Sequence, residues 1–343
     1  MTPKKRVAIV GLGKIGLFHL SILRNLDEVE LVGLVDEKTS VQKTVKGMGV
    51  NVPFFKSIED LIENAMPQGI FACVPPVYNP AVAEACIPKG VALLVEKPMA
   101  ASLADAEKMV ALLKSQMTPP ANAVGHMVAY YPAFEKAGRM LQEIGQIKGY
   151  DAELFLGEVF KKQEGWRQNP KISGGGALAI LGSHLLCILI TFFDMPESVT
   201  TTEIKREYSD VENEIFAQLN YPNHITGSLK VSWSKPHYSE MGFKIDVAGS
   251  SGTLIASEKS IYLLPSTGNI IPMFLWDLVE NTAPKAKFRP NQPGYLEQDL
   301  DFIRAIGTGK ETRVSWEHGL KIQKVIDAIY RSADSNRQTI RLS

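Results

Sequence analysis

Three glycines, Gly11, Gly13 and Gly16, stand in a GxGxxG spacing directly after the apolar run 7–10. In that spacing the first glycine allows a tight turn, the second a close backbone approach to a pyrophosphate, and the third close packing of helix on sheet. Lys14 and Ile15, between the second and third, open a helix whose first N–H groups are unpaired and carry partial positive charge. Such a helix start accepts a phosphate. Asp36 follows Gly16 by 20 residues and ends the next apolar run, where a carboxylate reaches the ribose hydroxyls of an adenosine. The set points to a dinucleotide. Asp36 favours NAD, because a carboxylate repels a 2′-phosphate; Lys38 softens that preference and keeps NADP as the alternative. The competing explanation is a glycine-rich turn in a nucleotide-free protein, and the strand before it, the helix after it and the spaced acid all argue against that.

Those residues need a parallel sheet to hold them. Strand and helix patterns alternate through the first ~125 residues, as in a sheet covered by helices. Strands are expected at 6–10, 30–35, 69–74 and 92–95, and helices at 14–25, 79–85 and 102–114, with Ser102 as N-cap. The stretch 117–122, with Pro119 and Pro120, is the expected domain boundary, giving a dinucleotide domain over 1–123 and a second domain over 124–343. There, helices at 130–144 and 177–193 precede strands at 149–156, 215–221, 225–234, 244–249, 253–256 and 261–264. Strands grouped in this way imply an α+β domain with one large, mainly antiparallel open sheet. A loop is expected at 282–293 and closing helices at 295–306 and 318–334; these last helices are placed to pack back on the first domain. Phe216, Leu229, Val231 and Trp233 alternate along two strands and mark a candidate oligomer surface.

Composition excludes several classes. The 343 residues carry 37 Lys plus Arg against 37 Asp plus Glu, which leaves no electrostatic footprint for nucleic acid or an anionic membrane. Cys73, Cys86 and Cys187 lie singly among apolar residues without metal-ligand or CxxC spacing, as small hydrophobes of a reducing, cytoplasmic compartment. No metal site is read. The apolar run 177–193 is broken by Gly182, Ser183 and His184 and is not expected to span a membrane.

Val95-Glu96-Lys97-Pro98, the upstream Val74-Pro75-Pro76 turn, Gly165-Trp166-Arg167, Ser173-Gly174-Gly175-Gly176 and Gly182-Ser183-His184, taken in order, resemble the Gfo/Idh/MocA oxidoreductases. That is the glucose–fructose oxidoreductase and inositol dehydrogenase family, and the resemblance spans nearly the whole chain. Gly125-His126 with Tyr130-Tyr131-Pro132-Ala133 is similar to a branch acting on amino, uronic and nucleotide-linked sugars, the sugar 3-dehydrogenase branch. The resemblance implies an α/β fold with an N-terminal Rossmann domain, NAD or NADP as cofactor, and hydride transfer from a ring hydroxyl of a sugar, sugar derivative or cyclitol. It makes Lys97 and His184 the catalytic pair. Val74, Pro75, Asn79, Glu96 and Lys97 join the cofactor set, and His126, Trp166 and Arg167 reach the substrate with the pair. The chemistry is coherent: an ammonium stabilises the alkoxide that forms as hydride leaves, and an imidazole has a pKa suited to taking the hydroxyl proton. Separately, the alternating apolar residues of the second sheet point to a homodimer or homotetramer through it.

The chain departs from the family pattern at several places. Ile180 stands where an Asp is common four residues before the histidine, Cys187 where another is common, and Ala129, Pro76 and Asn79 replace Arg, Asn and His. His184 thereby loses an expected carboxylate orienter. An active dehydrogenase and a catalytically silent dinucleotide-binding regulator both remain open, and retention of Lys97 and His184 favours the enzyme. Lys161, Lys162, Arg167 and Lys171 gather near the pocket motif, consistent with a phosphorylated or nucleotide-linked substrate or with a solvated loop. Arg167 has no obvious local carboxylate. His19, His224, His237 and His318 show no partner pattern and read as surface or capping residues; Tyr130 and Tyr131 read as packing.

Overall fold

The computed structural model describes residues 3–274 and 294–342. The loop expected at 282–293 lies outside them. The chain divides into two compact units, the first drawn from residues 1–100, 104–127 and 285–320, the second from 101–103, 128–284 and 321–343.

The first unit is built on a six-stranded sheet: β1 (Lys5–Val10), β2 (Val29–Val35), β3 (Phe54–Phe55), β4 (Gly69–Ala72), β5 (Ala92–Glu96) and β6 (Asn122–Gly125). Its order is β3-β2-β1-β4-β5-β6, with every pair parallel. β4 and β5 are buried at every position, the mark of strands covered by helices on both faces. The covering helices are α1 (Lys14–Leu23), α2 (Thr39–Gly47), α3 (Ile58–Ala65), α4 (Asn79–Cys86) and α5 (Leu103–Lys114). The strand order reverses between β1 and β4, and in such a sheet ligands bind outside the carboxyl ends at that switch point. β6 pairs with β5 as far as Gly125, so the first sheet continues past residue 123, where the sequence had suggested a boundary. The run at 117–122 was too polar and proline-rich to announce the strand that follows it.

The second unit contains α6 (Pro132–Met140), α7 (Pro170–Ser173), α8 (Ser183–Phe193) and a nine-stranded sheet. Its strands are β7 (Ile147–Phe155), β8 (Ser198–Lys205), β9 (Glu214–Asn220), β10 (Thr226–Ser232), β11 (Gly242–Gly249), β12 (Gly252–Ala256), β13 (Ser260–Pro265), β14 (Ile271–Phe274) and β15 (Ile340–Arg341). The order is β14-β13-β12-β11-β7-β10-β9-β8-β15; β10 and β7 are parallel and the other pairs antiparallel. Two further helices close the chain. α9 (Tyr295–Ala305) belongs to the first unit, and α10 (Trp316–Asp334) begins in the first and ends in the second.

The face of this sheet that packs against helices corrects the expected oligomer surface. Leu229, Val231 and Trp233 are buried, and a side chain added at Gly182, just before α8, would lie 2.9 Å from Val231. These residues therefore lie under the helices. Residues one position away point to the other side because strand side chains alternate. That open face is polar, with Lys148, Asp151, Gln218, Ser228, Lys230 and Asp246 around a depression of about 580 Å³. Of the four residues expected there, Phe216 and the buried Leu229 line it, and Val231 and Trp233 do not. Residues 170–193 are apolar and long enough to cross a membrane by composition, and 83% of their most apolar window is buried.

Gly182→Ala is expected to lower stability by about 1–3 kcal/mol, because the new carbon has to displace Val231. Gly47→Ala, whose added carbon meets nothing within 4 Å, is expected to raise stability by about 0.5 kcal/mol. Urea denaturation of the two variants beside the parent protein checks both signs.

Candidate active site

The glycine loop joins β1 to α1, and its three glycines are glycine for different reasons. A side chain at Gly16 would lie 1.9 Å from the Gly11 carbonyl oxygen, and one at Gly11 would lie 2.6 Å from that of Cys73, where φ is also +87°. Packing alone demands both. Gly13 has no such demand: its φ is −66°, and an added carbon meets nothing within 4 Å. The chain thus leaves one bare, uncrowded backbone position at the start of α1, which has no side-chain cap and no acid in its first turn. Bare N–H groups beside open space fit a pyrophosphate. Lys14 and Ile15 form the first turn there, and Val74, past the end of β4, packs against the position of Gly11. Pro75 follows it, half-buried. Asp36 accepts hydrogen bonds from the Leu12 N–H at 2.7 Å and the Lys38 N–H at 2.8 Å, so its carboxylate is tied to the glycine loop itself.

On β5 the chain leaves the sheet through Glu96, Lys97 and a cis Lys97–Pro98 peptide. Two side chains hold this strap. The Asn79 amide, buried in α4, donates to the carbonyl of Met99 at 3.1 Å, with those of Glu96 and Pro98 at 3.4 Å. Its own carbonyl oxygen is buried without a protein partner among the described residues, an acceptor suited to a ligand donor. Glu96 accepts from the Lys97 N–H at 3.2 Å and fills the space beside Gly125, where a side chain would lie 2.4 Å from its oxygen. Lys97 is half-buried. His126, next to Gly125, is buried, and burial pushes its pKa well down, with the charges of Lys97 and His318 acting the same way. Its ring is neutral. The first unit therefore brings together the glycine cradle, Asp36, Val74, Asn79, Glu96, Lys97 and His126.

His184 lies in the second unit, buried in the first turn of α8. A π-helical turn, Leu178–Gly182, leads directly into it. The turn is wider than an α-turn, so Ile180 is not one regular α-helical turn from His184 as the i−4 spacing had implied. The preceding glycines are shaped by two residues that the sequence did not single out. Glu212, buried, accepts from the Gly176 N–H at 3.0 Å, the Leu178 N–H at 2.8 Å and the Tyr330 hydroxyl at 2.8 Å. Burial raises its pKa and these donors pull it back. A side chain at Gly176 would lie 2.1 Å from the Glu212 carbonyl, and one at Gly175 would lie 2.0 Å from the Tyr330 hydroxyl. Gly175 and Gly176 are thus the imprint of Tyr330 and Glu212, while Gly174, at φ +78°, meets Ala101.

Trp166 and Arg167 are exposed on the loop between β7 and α7. Arg167 does have a carboxylate, Glu158 at 3.4 Å, and its guanidinium lies 5.6 Å from the Trp166 ring centre; the partner was hidden because it stands nine residues upstream. Lys161, Lys162 and Lys171 are exposed on the same segment. The largest correction concerns His19. It is fully buried, with Nδ1 2.9 Å from Asp299 and Nε2 3.1 Å from Glu96. Although burial alone would lower its pKa, Asp299 and then Glu96 push it up to about 10. No local signal could have found this, since Asp299 lies 280 residues away. Of the other three, His224 and His237 are exposed and His318 is half-buried.

Residues 5–119 match the model of an oxidoreductase family's NAD-binding Rossmann fold, and residues 139–342 match the same family's C-terminal alpha/beta domain. The glucose-6-phosphate 3-dehydrogenase of Bacillus subtilis is 23% identical, with 99% of each chain covered. The myo-inositol 2-dehydrogenase of Thermotoga maritima is 22% identical, with 92% of each covered. Among solved structures, levoglucosan dehydrogenase in complex with NADH and levoglucosan superposes with a TM-score of 0.84 at 16% identity, over 98% of this chain and 99% of that one.

Gly13→Ala is expected to leave the melting temperature of the ligand-free protein within about 2 °C of the parent, since surface changes without contacts are near neutral, while weakening NADH binding at least tenfold. Gly16→Ala is expected to unfold or strongly destabilise it. Differential scanning calorimetry with an NADH fluorescence titration separates the two. Glu212→Gln, which replaces a carboxylate receiving three bonds by an amide that also carries donors, is expected to cost about 1–3 kcal/mol, read by denaturant unfolding.

Proposed function

The chain belongs to the Gfo/Idh/MocA oxidoreductase family, and from that premise we propose that it is an NAD-dependent dehydrogenase of a ring hydroxyl on a sugar, sugar derivative or cyclitol. The observation that carries this reading is the sequence of groups along one sheet edge. The bare Gly13 cradle follows β1 and the half-buried Lys97 follows β5. Only β4 lies between these strands, so the two ends are about 10 Å apart. An extended dinucleotide bound at the cradle reaches the Lys97 strap with its nicotinamide end.

A dinucleotide held by the Gly13 cradle and the Lys97 strap would supply the hydride acceptor for the carbon that bears the hydroxyl. The chain's residues manage the remaining charge. The Lys97 ammonium stabilises the developing alkoxide or, in the reverse direction, polarises the ketone. His184 accepts the hydroxyl proton as the C–H bond breaks, leaving a ketone, reduced cofactor and a protonated imidazole. Neutral His126 offers a hydrogen bond to the sugar without a competing charge, and Trp166 and Arg167 are further substrate contacts in this reading. Asp36, held by two main-chain N–H groups, cannot swing away from a 2′-phosphate, which favours NAD over NADP. Support for a sugar comes from the dehydrogenases of glucose 6-phosphate and myo-inositol to which the chain is similar. Self-association as a dimer or tetramer would use the polar open face of the second sheet, and three cysteines without disulfides suit a reducing, cytoplasmic location.

Absorbance at 340 nm with NAD or NADP, across glucose 6-phosphate, levoglucosan, myo-inositol and amino- and nucleotide-linked sugars, is expected to rise with NAD and one sugar class. Lys97→Met is then expected to lower kcat at least 100-fold with NADH affinity retained within threefold. NADH binding without reduction on any sugar would replace this reading by a silent dinucleotide-binding regulator.

A further inference from the structure

The contact between His19 and its two carboxylates has a proton count that its geometry dictates. A neutral imidazole has one donor and one acceptor nitrogen. Here both nitrogens face carboxylate oxygens, Asp299 Oδ2 at 2.9 Å and Glu96 Oε1 at 3.1 Å, and ionised carboxylates only accept. The cluster therefore holds an extra proton. The ring is fixed around it by Phe71 and Tyr295, with centroids at 5.3 Å and 5.7 Å. Both the His19 and the Asp299 side chains are wholly buried, and that of Glu96 is 8% exposed. Removing one partner from so buried a set leaves a charge without compensation, a costly state.

The three residues come from three separate elements. His19 lies on α1, whose first turn borders the glycine cradle. Glu96 ends β5, and its second oxygen accepts from the Lys97 N–H. Asp299 lies on α9, which returns from the far end of the chain. We infer that His19 is a positioning residue: held as an imidazolium between Asp299 and Glu96, it fixes the Glu96 carboxylate, and through it the main chain of Lys97, relative to the cofactor cradle. This inference rests on the role given to Lys97 under the proposed function. The titratable groups around the ring are Glu96 from β5 and Asp299 and Tyr295 from α9. Cys73, past the end of β4, faces the same two carboxylates, which raise its thiol pKa further after burial has done so. Lys97 and neutral His126 stand on the strap side.

The pH dependence of this contact has a definite sign. A histidine whose pKa rises from 6.5 in the unfolded chain to about 10 in the folded one contributes stability that is complete below about pH 6.5 and is lost as pH climbs through 10. The melting-temperature gap between the parent and His19→Gln is therefore expected to narrow steadily from pH 6.5 to 10.

The deciding experiment pairs spectroscopy with kinetics on the NADH-saturated full chain. With 15N-labelled histidine, both ring nitrogens of His19 are expected to keep imidazolium shifts past pH 9, and Asp299→Asn is expected to lower that titration by at least two pH units. In the kinetic arm, with NAD and the sugar class selected at 340 nm, His19→Gln is expected to lower kcat at least tenfold, with KM and NADH affinity within threefold. A His19 that titrates near pH 6.5 in the parent overturns the inference even if His19→Gln fails to fold. Full kcat in His19→Gln, alongside an inactive Lys97→Met, overturns the positioning role and leaves the dehydrogenase standing. A parent inactive on every sugar overturns the reading of Lys97 and this inference with it.

Discussion

The ligand side of the first unit depends on one close approach, the α-carbon of Gly16 against the carbonyl oxygen of Gly11. With any side chain at residue 16 the start of α1 would be forced away from the end of β1. That displacement would move the unpaired N–H groups of the first turn, open the Asp36 tether to Leu12, and shift His19 one turn further along the same helix. A packing constraint of a few ångströms thus sets the place of an electrostatic site. Gly13 differs in kind, because nothing in the protein itself requires it to be bare. The distinction between glycine demanded by the fold and glycine left for a ligand separates the cofactor assignment from a mere glycine-rich turn.

Both units use a buried carboxylate to shape the backbone next to a residue proposed for catalysis. In the first, Glu96 is held by His19 and grips the Lys97 N–H. In the second, Glu212 grips the N–H groups of Gly176 and Leu178 at the entry to the helix that carries His184. The solutions are chemically distinct. Glu96 is compensated by a charge, whereas Glu212 receives only neutral donors, and burial raises its pKa. Charge compensation couples three distant segments of chain, while main-chain donors act within one turn.

The departures from the family pattern read differently once the backbone is known. Ile180 lies inside a π-helical turn, so a carboxylate there would not have stood one regular turn from His184. Arg167 is engaged by Glu158 and lies over the Trp166 ring, which holds its guanidinium on an exposed loop. The polar, ion-paired face of the second sheet, with Lys230 on Glu153 and Lys244 on Asp246, replaces the apolar surface that alternation had suggested. Alternation along a strand shows that two faces differ; it does not show which one the helices cover.

Local chemistry made much of this protein legible from its residues alone. The order of strands and helices around Gly11, Gly13 and Gly16, the acid at Asp36, the Glu96-Lys97-Pro98 strap and the GGG run before His184 all follow from short spacings, because turn geometry and helix starts are decided within a few residues. The hidden parts share one property. The strand pairing of β6, the face of the second sheet that lies inward, the Glu212–Tyr330 support and above all the bridge from His19 to Asp299 join residues from far apart in the chain. A histidine's charge is set by what surrounds it in space. Its neighbours in sequence show no partner, so it reads there as a surface or capping residue, and the carboxylate that stabilises its extra proton arrives 280 residues later.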